Sequence, residues 1–90
     1  MSGQSDDGRP DVALRLFAAA REAAGTRDAE ISGRTVGEVL EAAVARYGEG
    51  FAAVLRTSRV WLNGSPAAPT DPVAPGDEVA VLPPVSGGAA

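Results

Sequence analysis

The feature that most constrains the fold of this chain is one amphipathic helix predicted to start at residue 35. Thr35 and Glu38 form a capping box, in which the Thr35 hydroxyl accepts from the Glu38 amide and the Glu38 carboxylate reaches back to the Thr35 amide. Apolar residues then recur at helical spacing until Gly48, over roughly thirteen residues. A helix with a single apolar stripe must pack on a sheet. The stripe is Val36, Val39, Leu40, Ala43, Val44 and Tyr47.

Strand patterns lie on both sides of this helix. Residues 12–17 alternate apolar and polar side chains, and residues 59–62 lead into Asn63-Gly64, a strong hairpin signal. Residues 75–77 form a tight turn before the last strand. The other predicted segments are a weaker strand at 26–31, a brief return strand at 65–68, the last strand at 78–82, and short helices at 18–24 and 51–55, with Phe51 in the core.

This order of elements predicts an α+β roll. We expect a mixed sheet of about four or five strands with one main helix packed on one face, and the last strand beside the first at the centre. Residues 1–10 are polar and rich in glycine, so they are interpreted as a disordered leader. Residues 11–82 are the predicted folded domain, and residues 83–90 a flexible tail.

The composition excludes most routes to catalysis by this chain alone. It has no Cys and no His, and all eight basic residues are Arg. Thiol nucleophiles, imidazole bases, Schiff-base lysines and ordinary zinc sites are therefore excluded. We predict a chain that is not an enzyme on its own and that binds no metal and no cofactor.

Charge and hydropathy indicate where such a chain works. The formal net charge is −4, and the basic residues are scattered singly, which predicts no nucleic-acid partner and weakly favours basic partners. The chain opens without a signal-like segment and contains no apolar run long enough to cross a bilayer. No membrane association and a cytoplasmic location are expected.

The tail and the single Trp each have two interpretations. Pro83 and Pro84 end the last strand, and six extended residues from Pro83 reach about 20 Å, enough to enter a cleft of another protein. A frayed terminus is the alternative. Strand alternation places Trp61 on the face opposite to the helix, where Leu82 can join it in a docking surface. Alternatively, Trp61 covers a sheet edge or plugs a loop.

Five pieces of the sequence, in order, resemble one known family. They are Leu16-Phe-Ala-Ala-Ala-Arg-Glu22 with Gly25, Thr35-Val-Gly-Glu-Val-Leu40, Val60-Trp-Leu-Asn-Gly64, Gly76-Asp-Glu-Val79, and Leu82-Pro-Pro-Val-Ser-Gly-Gly88. Together they resemble the small subunit of molybdopterin synthase, the MoaD type of ubiquitin-like sulfur carrier in the MoaD/ThiS family. This resemblance implies a β-grasp fold.

The resemblance also implies chemistry at Gly88. An E1-like enzyme would use ATP to adenylate the Gly88 carboxylate, sulfur would convert it to a thiocarboxylate, and the large synthase subunit, in a heterotetramer, would pass the sulfur to a cyclic pyranopterin. Because Ala89 and Ala90 follow Gly88, a protease is expected to remove them first. The predicted partner-binding residues are Pro83, Pro84, Val85, Ser86, Gly87, Trp61 and Leu82.

Two alternatives stay open at this point. The same thiocarboxylate could serve another pathway, such as the synthesis of thiamin, cysteine or a secondary metabolite, and the two residues beyond Gly88 favour this mildly. The other alternative is a non-catalytic β-grasp binding module that uses the tail or the Trp61 face without sulfur chemistry.

Overall fold

The computed structural model describes residues 8–84. The predicted leader and tail extend beyond these residues, so the division of the chain into leader, domain and tail stays a prediction. Five strands and three helices are described. In chain order they are β1 (Asp11–Leu16), α1 (Ala18–Ala24), β2 (Asp28–Ser32), α2 (Val36–Tyr47), α3 (Glu49–Arg56), β3 (Arg59–Leu62), β4 (Ser65–Pro66) and β5 (Glu78–Leu82).

The strands form one mixed sheet in the order β2-β1-β5-β3-β4. β5 runs parallel to β1 and antiparallel to β3, while β2 pairs with β1 and β4 with β3, both antiparallel. The last strand therefore lies beside the first at the centre, as predicted. With α2 packed on one face, this is the β-grasp roll.

The start of α2 confirms one half of the predicted capping box and corrects the other. The Thr35 hydroxyl accepts from the Glu38 amide at 3.1 Å. The Glu38 carboxylate accepts from the amide of Arg34 at 2.8 Å, rather than from that of Thr35. The carboxylate thus reaches one residue further back than in a standard capping box.

The proline-rich loop between β4 and β5 packs on the first turn of α2. The Val36 amide donates to the Asp71 carbonyl and the Gly37 amide to the Pro69 carbonyl, both at 2.9 Å. A Cβ at Gly37 would lie 3.1 Å from the Pro69 oxygen, so a glycine permits this close approach. The loop therefore satisfies amides that a helix start otherwise leaves unpaired.

The core lies between the sheet and the helices. The inward side chains of the two central strands are at most 1% exposed, and Phe51 of α3 is fully buried with its ring centroid 5.4 Å from that of Tyr47. The α2 stripe is confirmed, since each of its residues is buried or packed against the buried cluster. The buried residues are Val12, Leu14, Leu16, Ala20, Ile31, Val36, Val39, Ala43, Phe51, Val79 and Val81.

Several strand boundaries differ from the prediction. β1 is Asp11–Leu16 rather than residues 12–17, and β2 ends at Ser32 rather than at residue 31. β2 starts at Asp28 instead of residue 26, because the Thr26 hydroxyl donates to the Asp28 carbonyl at 3.0 Å within the turn that precedes the strand. The return strand β4 ends at Pro66, beyond which the Ala67 amide donates once more to Val60. Within residues 8–84, no helix is long and apolar enough to cross a membrane.

Candidate partner-binding face and tail exit

The tail leaves from the middle of the sheet. Leu82, the last residue of β5, pairs with Arg59 of β3, while on the other side the Phe17 amide donates to the Val81 carbonyl at 3.2 Å. Pro83 and Pro84 follow and are exposed. We call the segment from Leu82 to Pro84 the tail exit. Since β5 is held by a strand on each side, the position and direction of the tail exit are fixed by the fold.

Trp61 lies on the sheet face opposite to the helices. Its neighbours Val60 and Leu62 pack against the core, and Trp61 itself pairs with Ala80 of β5 and is half-buried. Leu82, two residues after Ala80, lies on the same face. The predicted orientation of Trp61 and Leu82 is therefore confirmed, whereas their binding of a partner stays a prediction.

Trp61 and Leu82 line one open concavity of about 850 Å³. Phe17 joins them and is 42% exposed, the only large hydrophobic side chain exposed among residues 8–84. We call the five residues Phe17, Trp61, Ala80, Leu82 and Pro83 the apolar face. This group of partly exposed apolar side chains is a candidate docking surface.

Phe17 was not predicted as a site residue, although the sequence contains a signal for it. The inward positions of β1 are Val12, Leu14 and Leu16, so Phe17 continues the outward series that includes Ala13 and Arg15. The predicted alternating run, residues 12–17, included Phe17, but Phe17 was not assigned to a face of the sheet. A large aromatic residue at the next outward position predicts an apolar side chain on the outer face of the sheet.

Polar groups at the start of β5 line the concavity and connect β5 to β3 and β1. The backbone amide of Asn63 donates to the Glu78 carbonyl at 2.8 Å, and its side-chain Oδ1 accepts from the Glu78 amide at 2.9 Å. The Glu78 carboxylate lies 3.2 Å from Nε of Arg15, with both side chains about half exposed (46% and 54%). These contacts position β5 and the rim of the concavity.

The remaining features of the site concern metal ligands, a second groove and the predicted tail residues. Among residues 8–84, no group of three or more His, Cys, Asp or Glu residues could hold a metal ion. Pro84 lines a neighbouring groove that also contacts Trp61. Four predicted site residues lie outside the described residues: Val85, Ser86, Gly87 and Gly88.

A β-grasp domain that presents an apolar face beside a tail leaving its central strand has the architecture of a ubiquitin-like carrier. A model of the ThiS family matches residues 14–88, which is most of the chain. The chain therefore belongs to the ThiS/MoaD family of ubiquitin-like sulfur carriers.

Solved structures agree with this assignment. Small archaeal modifier protein 1 from Methanosarcina acetivorans is 28% identical, with a TM-score of 0.80 over 89% of this chain and 98% of that chain. A putative molybdopterin converting factor, subunit 1, from Pyrococcus furiosus is 26% identical, with a TM-score of 0.76 over 84% and 99%.

A third structure contains a partner. It is the complex of subunits 1 and 2 of molybdopterin-converting factor from Helicobacter pylori, where 26% identity and a TM-score of 0.64 extend over 87% of this chain and 99% of that chain. A comparison with curated protein sequences returned no match.

Proposed function

We propose that this protein carries sulfur as a thiocarboxylate on Gly88 and donates it to a cyclic pyranopterin in the synthesis of molybdopterin. The observation that carries the proposal is the combination of a Gly-Gly tail with a tail exit at the centre of the sheet, in a member of a sulfur-carrier family. The likeness to subunit 1 of molybdopterin converting factors favours this pathway.

The chemistry at Gly88 needs an activating partner because a carboxylate is a poor electrophile. In the first proposed step, a Gly88 carboxylate oxygen attacks the α-phosphate of ATP on an E1-like enzyme and releases pyrophosphate. The terminal sulfur of a persulfide then displaces AMP, and a second thiol reduces the resulting acyl disulfide to leave the thiocarboxylate. ATP is used by the activating enzyme, and this chain holds no cofactor.

The contribution of this chain is to deliver its terminus. Pro83 and Pro84 lack backbone donors, so pairing with the sheet ends there and the tail is free to be bound by another protein. Gly87 and Gly88 have no Cβ and suit a narrow channel, in which affinity comes from main-chain hydrogen bonds. The apolar face would dock against the partner beside that channel.

The proposed partners are therefore proteins. They are the large subunit of molybdopterin synthase, assembled with this chain as a heterotetramer in the cytoplasm, and an E1-like enzyme that adenylates and sulfurates the tail. Neither nucleic acid nor membrane is involved. The catalytic groups belong to these partners.

Ala89 and Ala90 must be removed before this chemistry can start. While Gly88 is joined to Ala89 by a peptide bond, it has no free carboxylate and cannot be adenylated. The proposal therefore includes a tail-processing protease that removes Ala89 and Ala90. The intact mass of the protein from its native host should correspond to a chain that ends at Gly88.

The decisive experiment compares two forms of the protein, one ending at Gly88 and one ending at Ala90. Each is incubated with ATP, the activating enzyme and sulfide. The form ending at Gly88 should gain roughly 16 Da by exchange of oxygen for sulfur, and the longer form should not. If the shorter form gains no mass while a control carrier does, the sulfur-carrier proposal is wrong and a binding module is the better interpretation.

A carrier for another pathway is the second candidate, favoured by the residues beyond Gly88. The two carriers differ in the acceptor of the sulfur. The thiocarboxylated chain is mixed either with the large synthase subunit and the pyranopterin, or with a thiazole-forming or cysteine-forming synthase. Sulfur transfer only in the second mixture would refute the molybdopterin assignment and keep the carrier.

A further inference from the structure

Basic side chains surround the tail exit, although the chain as a whole is acidic. On one side of Phe17 lies a cleft of about 380 Å³ that Arg15, Arg21 and Arg27 line together with Asp28. These arginines come from β1, α1 and the turn before β2. The fold therefore brings together three positive charges that are scattered in the sequence.

Two further arginines lie on the other side of the apolar face. Arg59, at the start of β3, lines both the main concavity and a groove of about 340 Å³. Arg56, at the end of α3, lines the same groove, which extends to Pro84. We call these two residues, together with Arg15, Arg21 and Arg27, the basic rim.

The local charge of this end is opposite in sign to that of the whole chain. The residues that line the two clefts and the concavity include five arginines and two carboxylates, Asp28 and Glu78, which together carry +3. Glu30, beside Arg15 and Asp28, lowers this local charge to +2, and Glu78 is paired with Arg15. The full chain carries −4. The net charge of the chain therefore differs in sign from the charge around the tail exit. The weak prediction of basic partners was based on the net charge and does not apply to the tail exit.

We propose that the basic rim selects protein partners whose docking surface is acidic and surrounds an apolar protrusion that fills the concavity. This inference rests on the proposed function, because a partner that takes the tail has to sit on the tail exit. Charge complementarity identifies the occupant, and the apolar concavity between the arginines favours a protein over a polyanion such as RNA.

Because salt screens distant charges, a partner at the tail exit responds to the basic rim more than to the negative net charge of the chain. The Debye length is about 8 Å at physiological ionic strength, so a partner at the tail exit responds mainly to nearby charges. The carboxylates of Glu41 and Glu49 belong to α2 and α3, on the helical side of the sheet. An acidic partner is thus attracted locally, and rim charges act mainly on the rate of association and its salt dependence.

The test uses charge reversals in the form that ends at Gly88. Arg59→Glu and Arg21→Glu change the rim, while Arg46→Glu, an exposed position in the last turn of α2, changes the net charge equally on the helical side. Association with the purified activating enzyme and with the large synthase subunit is measured at several salt concentrations. Circular dichroism melts check that each variant is folded.

Each rim reversal should slow association by about tenfold or more at low salt and flatten its salt dependence, whereas Arg46→Glu should stay within about twofold of the wild type. Equal effects of the three reversals would overturn the basic rim and leave the sulfur carrier intact. Failure of the wild type to bind either partner or to accept sulfur would overturn both proposals.

Two other occupants are checked with the same variants. Sedimentation that shows a dimer of the wild type, lost on reversal of Arg59 but not of Arg46, would assign the rim to a second copy of this chain. Binding of a single-stranded RNA oligonucleotide, lost in the same selective way, would assign it to nucleic acid. Either result would overturn the proposal of an acidic protein partner.

Discussion

The turn at Asn63 offers the sharpest test of how this fold is held together. Asn63 and Gly64 both have positive φ, 51° and 85°, as a two-residue type I′ hairpin turn requires. Asn63 also makes two hydrogen bonds to the backbone of Glu78, the first residue of β5. Asn63 therefore supports the turn, and its backbone and side chain, with one hydrogen bond each, fix the start of the strand that leads to the tail.

Replacing Asn63 with Ala removes two contributions to the free energy of unfolding. The hydrogen bond from the Glu78 amide to Oδ1 is exposed, so its loss costs about 0.5–1 kcal/mol. An alanine in the left-handed region costs about 1–2 kcal/mol more. Asn63→Gly loses the same hydrogen bond but tolerates the positive φ, so it should cost only about 1 kcal/mol.

The measurement is urea unfolding of the two variants and the wild type, followed by circular dichroism. We expect Asn63→Ala to be destabilised by about 1.5–3 kcal/mol, with an unchanged slope against urea. In a domain of this size the melting temperature would fall by about 4–8 °C for each kcal/mol. If Asn63→Gly is as unstable as Asn63→Ala, the argument from the backbone conformation is refuted.

Three further substitutions test the core, the close packing and the helix start by the same measurement. Phe51→Ala should cost about 3–5 kcal/mol, because the side chain is fully buried, and a loss below 1 kcal/mol would contradict this. Gly33→Ala should cost about 1–3 kcal/mol, since its Cβ would lie 2.8 Å from the amide nitrogen of Val39. The control Gly50→Ala, in an open helical position, should be neutral or stabilising. Thr35→Ala should cost about 1 kcal/mol by loss of the cap, while Thr35→Ser should cost little.

Local patterns were enough to predict most of the elements. The α2 stripe, the Asn63-Gly64 turn and the two short helices each depend on residues within a few positions of one another. The details that were wrong depend on contacts over longer distances or on exact local geometry. The bonding of Pro69 and Asp71 to the first turn of α2 was not predicted, because it has no local signal.

The candidate site was predicted in part. Strand alternation was enough to place Trp61 and Leu82 on one face, because successive side chains of a strand point to opposite sides. Phe17 ends the predicted alternating run, and it was missed because its neighbourhood depends on the pairing of β1 with β5. Whether these residues bind a partner stays a prediction, and Gly88 lies outside the described residues.

The sequence by itself determined which side chains are available for chemistry. It contains no Cys, His or Lys, and the proposed chemistry depends on the Gly-Gly that follows two prolines. Only the tertiary structure decided what surrounds the tail exit. Arg27 and Arg59 are far apart in the sequence, and the sheet order β2-β1-β5-β3-β4, with β5 between β1 and β3, places them on either side of the tail exit. Strand order depends on contacts between distant segments, so no local pattern reveals this basic rim.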